Sequence, residues 1–260
     1  SQERRDGLMM GRSHMAIGAV GAVAATPLVL HEHWESLRDL TTHPWASMPH
    51  IIVVQAAFVA ATVVGALVPD LDQQDAKLTY TIEVVFGLPV LALAIIVMVL
   101  MHWATSLTAW GVALLLMFIF GAAHNFTRVL GLGALAAILL DLAYHHRMPM
   151  EAAVLLAAWM AATMPAKHRT FTHSLLGLAV FGAGCYLSEP ALSHLHLGVA
   201  AYGLILGYVL HMAADFIAGG VPLLWPWGKR QGVHLVKSFS AVDYLIGGIG
   251  IFTFVGLALV

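Results

Sequence analysis

Apolar segments alternate with short polar stretches along almost the whole chain. The loop signals between them include Pro69, Pro149 and Pro190. Nine apolar segments lie near 15–30, 51–68, 82–101, 104–123, 129–144, 151–164, 174–188, 197–217 and 243–260. A helix needs about 20 residues to cross a bilayer, so the longer segments predict spans and the shorter ones predict tilted or half-buried helices. The pattern predicts an all-α, polytopic membrane helical bundle in a single domain, residues 1–260.

The composition supports this interpretation. Hydrophobic residues make up 60% of the chain and charged residues 10%, whereas soluble domains carry about 25% charged residues. The 12 basic and 14 acidic side chains nearly cancel, which argues against nucleic acid as a partner. The lone Cys185 lies in an apolar run and excludes an intrachain disulfide and a cysteine-rich zinc site. Segment 15–30 has the length of a signal-peptide core, but the preceding His14 and the lack of a clear cleavage site favour a membrane helix.

Three polar islands interrupt the apolar pattern, and ionisable groups at a membrane are costly and usually functional. The islands are Asp70 with Asp72, the run Lys167-His168-Arg169-Thr170-Phe171-Thr172-His173-Ser174, and His211 with Asp215. If every segment crosses the membrane once, all three islands and His14 reach the same face. Ten of the 12 basic side chains share that face, and only Arg38 and Arg147 fall opposite. This bias predicts that the face is cytoplasmic.

The spacing of the polar residues suggests metal ligands. His211 and Asp215 are four apart on a predicted helix, so they share one face and can bind one ion. A hydrogen bond that satisfies two buried groups is the simpler alternative. In an extended loop Asp70 and Asp72 point the same way, and their carboxylates repel unless a cation or a proton relieves them. A polar helix end facing water is the alternative there.

His168 and His173 are five residues apart, which suits a loop-to-helix junction better than one helix. Pro165 ends the preceding helix, and Thr170 or Thr172 is expected to cap the next one. The amino terminus of that helix favours a nearby anion, and the guanidinium of Arg169 offers a fork for two phosphate oxygens. A basic loop at the membrane edge is the alternative interpretation.

With these islands, the sequence resembles the LexA-binding, inner-membrane-associated hydrolases, known as the YdjM-like family. The matching stretches are Ala66–Asp72 (ALVPDLD), His168–Leu176 (HRTFTHSLL), Gly207–Asp215 (GYVLHMAAD) and Gly220–Pro226 (GVPLLWP). His14 also resembles an early histidine of the family. The family often has a histidine after the second aspartate, where this chain has Gln73. Residues 82–164 look like an insertion of extra membrane helices into a smaller core.

The resemblance implies a metal-dependent hydrolase with its site at the cytoplasmic edge of a bacterial inner membrane. The expected metal ligands are His14, Asp70, Asp72, His168, His173, His211 and Asp215. Arg169, Asp72 and His173 are the residues expected to take part in catalysis, with Arg169 holding a phosphate. Seven ligands suggest two or more ions, and the nitrogen and oxygen donors suit zinc, although manganese or iron also fit. The expected substrate is a lipid or lipid-linked phosphoester, and the family name also hints at a protein partner.

Two other functions remain open at this stage. A metal- or proton-coupled transporter also carries intramembrane Asp and His residues, but its pathway should place them at several depths. A regulatory membrane protein would use a closed metal site only for folding. Asp243, which opens the last segment, is a further candidate to support the site. Histidines predicted on the opposite face, such as His145 and His196, are assigned to the membrane interface.

Overall fold

The structure is a computed structural model, and it describes residues 11–41, 48–72, 124–166, 170–233 and 241–259. These ranges contain seven helices: α1 (Gly11–Val29), α2 (Met48–Gly65), α3 (His124–Tyr144), α4 (Met150–Thr163), α5 (Leu175–Ser193), α6 (Val199–Ala218) and α7 (Ala241–Leu259). A single helical turn at Leu37–Leu40 and two 3-10 helices, Val68–Asp72 and Phe171–His173, complete the helical structure of the described ranges. The strand-type pairing described is one isolated bridge between Val221 and Gln231. The prediction of a helical membrane protein is confirmed.

Three of the described helices, α5, α6 and α7, are long and apolar enough to cross a membrane. Shorter apolar helical stretches occupy His50–Gly65, Gly131–Tyr144 and Met150–Thr163. The predicted segments 82–101 and 104–123 lie outside the described residues, so the total of nine segments stays a prediction. The chain forms two compact units, Ser1–Asp72 with Leu135–Val260, and Gln73–Ala134. All packing discussed below lies within the first unit.

Small residues bring α2 and α6 into close contact. A Cβ atom added to Gly207 would lie 2.0 Å from the carbonyl oxygen of Thr62, and one added to Gly203 would lie 2.8 Å from that of Phe58. Glycines four residues apart allow such close helix packing in membranes. His211 and Asp215 continue the same four-residue spacing along α6, so the close approach also fixes their distance from α2.

Helices α1 and α7 pack along each other with polar contacts at both ends. At one end, the Ser13 hydroxyl donates to the Asp243 carboxylate over 2.6 Å, and the Arg12 guanidinium lies 3.8 Å from the Tyr244 ring centroid. At the other end, the Trp34 indole donates to the carbonyl of Leu257 over 2.8 Å. The end with Ser13 and Asp243 is called the site end below, and the other is called the far end.

An aromatic cluster holds α4, α5 and α6 together near the site end. Trp159 is 1% exposed, and its ring centroid lies 5.2 Å from that of Phe181 and 6.2 Å from that of Tyr208. The Tyr208 hydroxyl donates to the backbone carbonyl of Thr172. This contact ties the 3-10 helix Phe171–His173 to α6. Tyr208, a core residue of α6, therefore positions the backbone next to the candidate ligand His173.

Two local predictions need correction. Pro190 was expected to end its segment near residue 188, but α5 continues to Ser193 with Pro190 inside it. A proline accepts the helical φ and removes one hydrogen bond, the one that its own nitrogen would donate to the carbonyl of Tyr186, so it disfavours a helix without always ending it. The expected extended stretch after Pro69 is the 3-10 helix Val68–Asp72. Alternate residues do not share a side at three residues per turn, so the reason given for placing Asp72 beside Asp70 is wrong.

Candidate metal centre

Five of the seven predicted ligands meet at the site end. They are His14 near the start of α1, Asp70 in the first 3-10 helix, His173 in the second, and His211 with Asp215 in the last turns of α6. All five side chains are buried, with between 0% and 3% of their surface exposed. Burying ionisable groups so completely is costly unless they are neutralised, so the charges of this cluster must be compensated either by its own members or by a bound cation.

The donor atoms are spaced as ligands of one ion. The Nε2 atoms of His173 and His211 lie 3.2 Å apart, and they lie 3.5 and 3.7 Å from Oδ2 of Asp215. Two ligands of a tetrahedral zinc at bond lengths of about 2.0–2.2 Å are separated by about 3.3–3.6 Å. The triangle therefore has nearly the dimensions of one face of a tetrahedral site. The same two nitrogens lie 3.6 and 3.7 Å from Oδ1 of Asp70, which makes a second triangle on the same edge.

Hydrogen bonds hold two of the imidazoles with Nε2 directed at the cluster. Nδ1 of His211 lies 2.7 Å from the carbonyl oxygen of Ala66, which only accepts, so Nδ1 carries the proton. The Nε2 of a neutral His211 then has its lone pair free for an ion. Nδ1 of His173 lies 3.0 Å from the Thr172 hydroxyl. Contacts of this kind orient metal-binding histidines in known sites.

Asp215 and His14 extend the cluster beyond one triangle. Oδ1 of Asp215 lies 3.3 Å from Nε2 of His14, while Oδ2 faces His173 and His211. The His14 ring stacks on the His211 ring at a centroid distance of 3.9 Å. Among the described residues, the buried Nδ1 of His14 has no hydrogen-bond partner. One donor atom each from His14, Asp70 and His211 also lie within 4.8 Å of one another. The five side chains therefore offer ligand atoms for one ion, or for a second ion beside it.

Electrostatics favours the ionised form of Asp70. Burial by itself raises the pKa of this carboxyl, but His211, His173 and His14 outweigh burial and hold the pKa of Asp70 below its usual range. An ionised carboxylate is the form that binds a cation. A histidine that lowers this pKa through its positive charge is protonated, and it has to lose that proton before its nitrogen can bind an ion.

The structure does not bear on the predictions for two ligands, His168 and Asp72, or for Arg169. His168 and Arg169 lie outside the described residues, and so does the side chain of Asp72. The expected cap at Thr170 or Thr172 is wrong, because the hydroxyl of Ser174 accepts from the backbone N–H of Gly177 over 3.0 Å and caps α5. Thr172 lies inside the 3-10 helix Phe171–His173, and this helix separates Thr170 from the start of α5.

Supporting residues around the cluster were partly missed. Asp243 was a candidate from the sequence, and the structure buries it and pairs it with Ser13, next to His14. Sequence reasoning did not find the roles of Thr172 or of the Ala66 carbonyl. The glycines of α6 were a usable sequence signal, because Gly203 and Gly207 lie eight and four residues before His211.

Comparison with known proteins agrees with the motif pattern. The family model described as YdjM inner membrane protein matches residues 98–258. The curated proteins named inner membrane protein YdjM from Escherichia coli (strain K12) and Shigella flexneri are each 45% identical to this chain over 82 residues. The aligned part covers 30% of this chain and 41% of each relative. No solved structure matches the chain.

Proposed function

The chain belongs to the YdjM family of inner membrane proteins, and from this premise we propose that it is a membrane-bound metal-dependent hydrolase. The observation that carries the proposal is the triangle of His173 Nε2, His211 Nε2 and Asp215 Oδ2, with sides of 3.2, 3.5 and 3.7 Å. Nitrogen and oxygen donors without sulfur suit zinc, with manganese or iron as further candidates.

In this proposal the described residues have separate tasks. His173, His211 and Asp215 would hold an ion, and His14 and Asp70 would add ligands to it or hold a second ion. A divalent ion would supply Lewis acidity and make water a nucleophile near neutral pH. Ala66 and Thr172 keep Nε2 of His211 and His173 directed at the ion. From the sequence, we add His168 and Asp72 as further ligands and Arg169 as the group that binds a phosphate.

A site at the end of membrane helices suggests a lipid or lipid-linked phosphoester as the substrate. Arg169 binds the phosphate in this proposal, because a guanidinium can donate two parallel hydrogen bonds to phosphate oxygens. The bias of ten basic side chains against two favours the cytoplasmic face. Cysteines introduced at Gln231 and Leu195, which are exposed near the site end and the far end, test this orientation. We expect a membrane-impermeant reagent to label Gln231→Cys from the cytoplasmic side and Leu195→Cys from the other.

The direct test of the proposal is release of phosphate or head group from a mixed lipid extract, with and without a chelator. Arg169→Lys keeps the charge but loses the planar fork. We expect normal metal content and hydrolysis lower by about tenfold or more, since hydrogen bonds to charged groups contribute about 1.5–3 kcal/mol. Arg147→Lys, at the far end, is the matched control and should keep full activity. Absence of chelator-sensitive release from any lipid would contradict the hydrolase proposal.

Complete burial favours a second candidate, a metal site that only stabilises the fold. Structural zinc sites are closed, whereas catalytic sites keep one open position, and the five described side chains are at most 3% exposed. Chelation separates the two functions. A structural ion should be lost together with the fold, whereas a catalytic ion can be removed and returned with recovery of activity.

A transport function has weaker support from the described helices. Buried hydroxyls away from the site end bond to their own helix, as Thr26 does to the carbonyl of Ala22 and Ser188 to that of Gly184. Such hydroxyls do not form a chain of exchangeable groups between the two ends. The ionisable buried cluster lies at a single end, which favours local chemistry over a pathway.

A further inference from the structure

The loop between α6 and α7 exposes a mixture of apolar and basic side chains at the site end. The tryptophan loop is defined as residues 222–230, with the sequence PLLWPWGKR. Trp227 is 90% exposed and Leu224 is 54% exposed, and Lys229 and Arg230 are also exposed. A tryptophan so far outside the protein needs a partner, because its large apolar ring gains free energy by leaving water.

Backbone hydrogen bonds hold the tryptophan loop close to the helix ends. Val221 and Gln231 exchange two hydrogen bonds of 2.9 Å across its base. The N–H of Leu175, at the start of α5, donates to the carbonyl of Leu223 over 3.0 Å, and the Trp225 ring packs against Phe171. These contacts keep the loop from extending away from the protein and fix it beside the second 3-10 helix.

The tryptophan loop continues the lipid-facing surface of two spanning helices. Leu175 and Leu176 open α5 with 47% and 46% of their surface exposed, and Ile217 in the last turn of α6 is 48% exposed. Both helices are candidate spans, so exposed apolar side chains on them contact lipid. Leu224 lies next in the chain to Leu223, which bonds to Leu175. The exposed apolar side chains of the loop therefore begin next to those at the start of α5.

We propose that the tryptophan loop is a binding surface for anionic phospholipid. Trp227 and Leu224 sit in the interfacial layer of the leaflet at the site end, where tryptophan is enriched in membrane proteins. Lys229 and Arg230 face the lipid phosphates, since basic side chains next to a span are attracted to anionic head groups. The order of the sequence supports this arrangement, because the apolar residues precede the basic pair by two to five positions.

Binding of anionic phospholipid by this loop is a separate property from the proposed hydrolase activity, and it does not depend on a bound ion. The same loop begins beside the candidate metal centre, since the N–H of Gly220 donates to the carbonyl of Asp215 over 2.8 Å. If both proposals hold, the loop concentrates anionic phospholipid next to the cluster and narrows the substrate class to lipids of that charge.

The first measurement locates the loop relative to the bilayer. A nitroxide is attached to Leu224→Cys in a Cys185→Ala background, and the full chain is placed in phosphatidylcholine nanodiscs with or without phosphatidylglycerol. We expect the nitroxide to collide more often with oxygen dissolved in lipid than with a water-soluble nickel complex. A nitroxide that meets mainly the nickel complex would overturn the proposal, because the loop would then face water or a soluble protein.

The second measurement tests the head-group preference with spin-labelled phosphatidylglycerol and phosphatidylcholine. The variant Lys229→Gln/Arg230→Gln should lower the preference for phosphatidylglycerol by roughly tenfold. The matched control is Arg38→Gln/Arg147→Gln, which removes two exposed cations from the far side and should leave that preference largely unchanged. Equal loss in both double variants, or no loss in either, would overturn the assignment of the basic pair. Neither readout needs metal or hydrolysis, so failure here is distinct from failure of the hydrolase proposal.

Discussion

Two aspartate–histidine pairs with the same four-residue spacing lie in opposite environments. On α6, Nε2 of His211 and Oδ2 of Asp215 are 3.7 Å apart, and both side chains are fully buried. At the end of α3, Nε2 of His145 and Oδ1 of Asp141 are 3.6 Å apart, and their side chains are 63% and 69% exposed. The spacing sets nearly the same distance in both pairs. Burial and neighbouring groups make the difference between them.

The neighbours of the buried pair come from other parts of the chain. His14, Asp70 and His173 each approach from a different element and add donor atoms that the exposed pair lacks. An exposed pair contributes only about 0–1 kcal/mol to stability. Removing one member of a buried charged set costs about 3–5 kcal/mol, because the remaining groups lose their compensation. Helical spacing therefore predicts that an aspartate and a histidine pair, whereas tertiary packing decides whether the pair can become a metal centre.

We expect the largest difference in metal content and in stability between the substitutions of His211 and of His145. His211→Ala should remove most of the bound metal and lower the free energy of unfolding by about 3–5 kcal/mol, because Asp70 and Asp215 stay buried without their partner. Metal is measured by elemental analysis, and stability by unfolding in detergent.

His145→Ala is the matched control, because it removes a histidine at the same spacing from an aspartate. It should leave the metal content unchanged and the stability within about 0.5 kcal/mol of the parent. Equal metal content in the two variants would mean that the buried pair is no more a ligand than the exposed one.

The close packing of α2 and α6, which positions His211 and Asp215, can be tested with a separate substitution. Gly207→Ala puts a Cβ atom 2.0 Å from the Thr62 carbonyl oxygen, so α2 and α6 must separate. We expect a loss of stability of about 1–3 kcal/mol and a lower metal content, since Ala66 on the α2 side holds His211.

Gly248→Ala on α7 is the control for this substitution, because an added Cβ atom there meets nothing within 4 Å. It should be neutral or slightly stabilising, since alanine favours helix more than glycine does. Unfolding in detergent and elemental analysis compare the two. If Gly207→Ala behaved like Gly248→Ala, the close packing of α2 and α6 would not control the cluster.

A smaller effect is expected from the contact that orients His173. Thr172→Val removes the hydroxyl at 3.0 Å from Nδ1 of His173 and should weaken metal affinity by about 10–100-fold. Thr26→Val is the control, because Thr26 is also buried but bonds to its own helix near the far end. Competition with a metal-sensitive dye measures both affinities. Similar metal affinities in Thr172→Val and Thr26→Val would show that the Thr172 hydroxyl does not orient His173.

Much of the fold could be predicted from hydrophobic pattern alone. Long apolar runs and prolines predicted the described helices to within a few residues, because membrane helices need continuous apolar surface. The helix end predicted from Pro190 is wrong, because a proline lowers the stability of a helix without always ending it. The 3-10 helix at Val68–Asp72 was also missed, because five residues carry too little periodicity to reveal three residues per turn.

The candidate site was predictable in its members and not in its geometry. His211 and Asp215 could be paired from spacing, and the polar islands on one predicted face indicated His14, Asp70 and His173 before the resemblance to a family supported the same set. Which atoms face one another depends on contacts between distant parts of the chain, such as His211 with the carbonyl of Ala66. The sequence pattern contains no information on a backbone carbonyl 145 residues away, so such partners emerge only from the packed structure.

The central claim is that the buried histidines and aspartates hold a metal ion. The most direct measurement is X-ray absorption at the metal edge of purified protein, combined with elemental analysis. We expect at least one transition ion per chain, with nitrogen and oxygen neighbours at about 2.0–2.2 Å and imidazole scattering that is lost in His211→Ala and kept in His145→Ala. Folded wild-type protein that binds no ion after metal is supplied, or an ion whose surroundings do not change in His211→Ala, would contradict the claim.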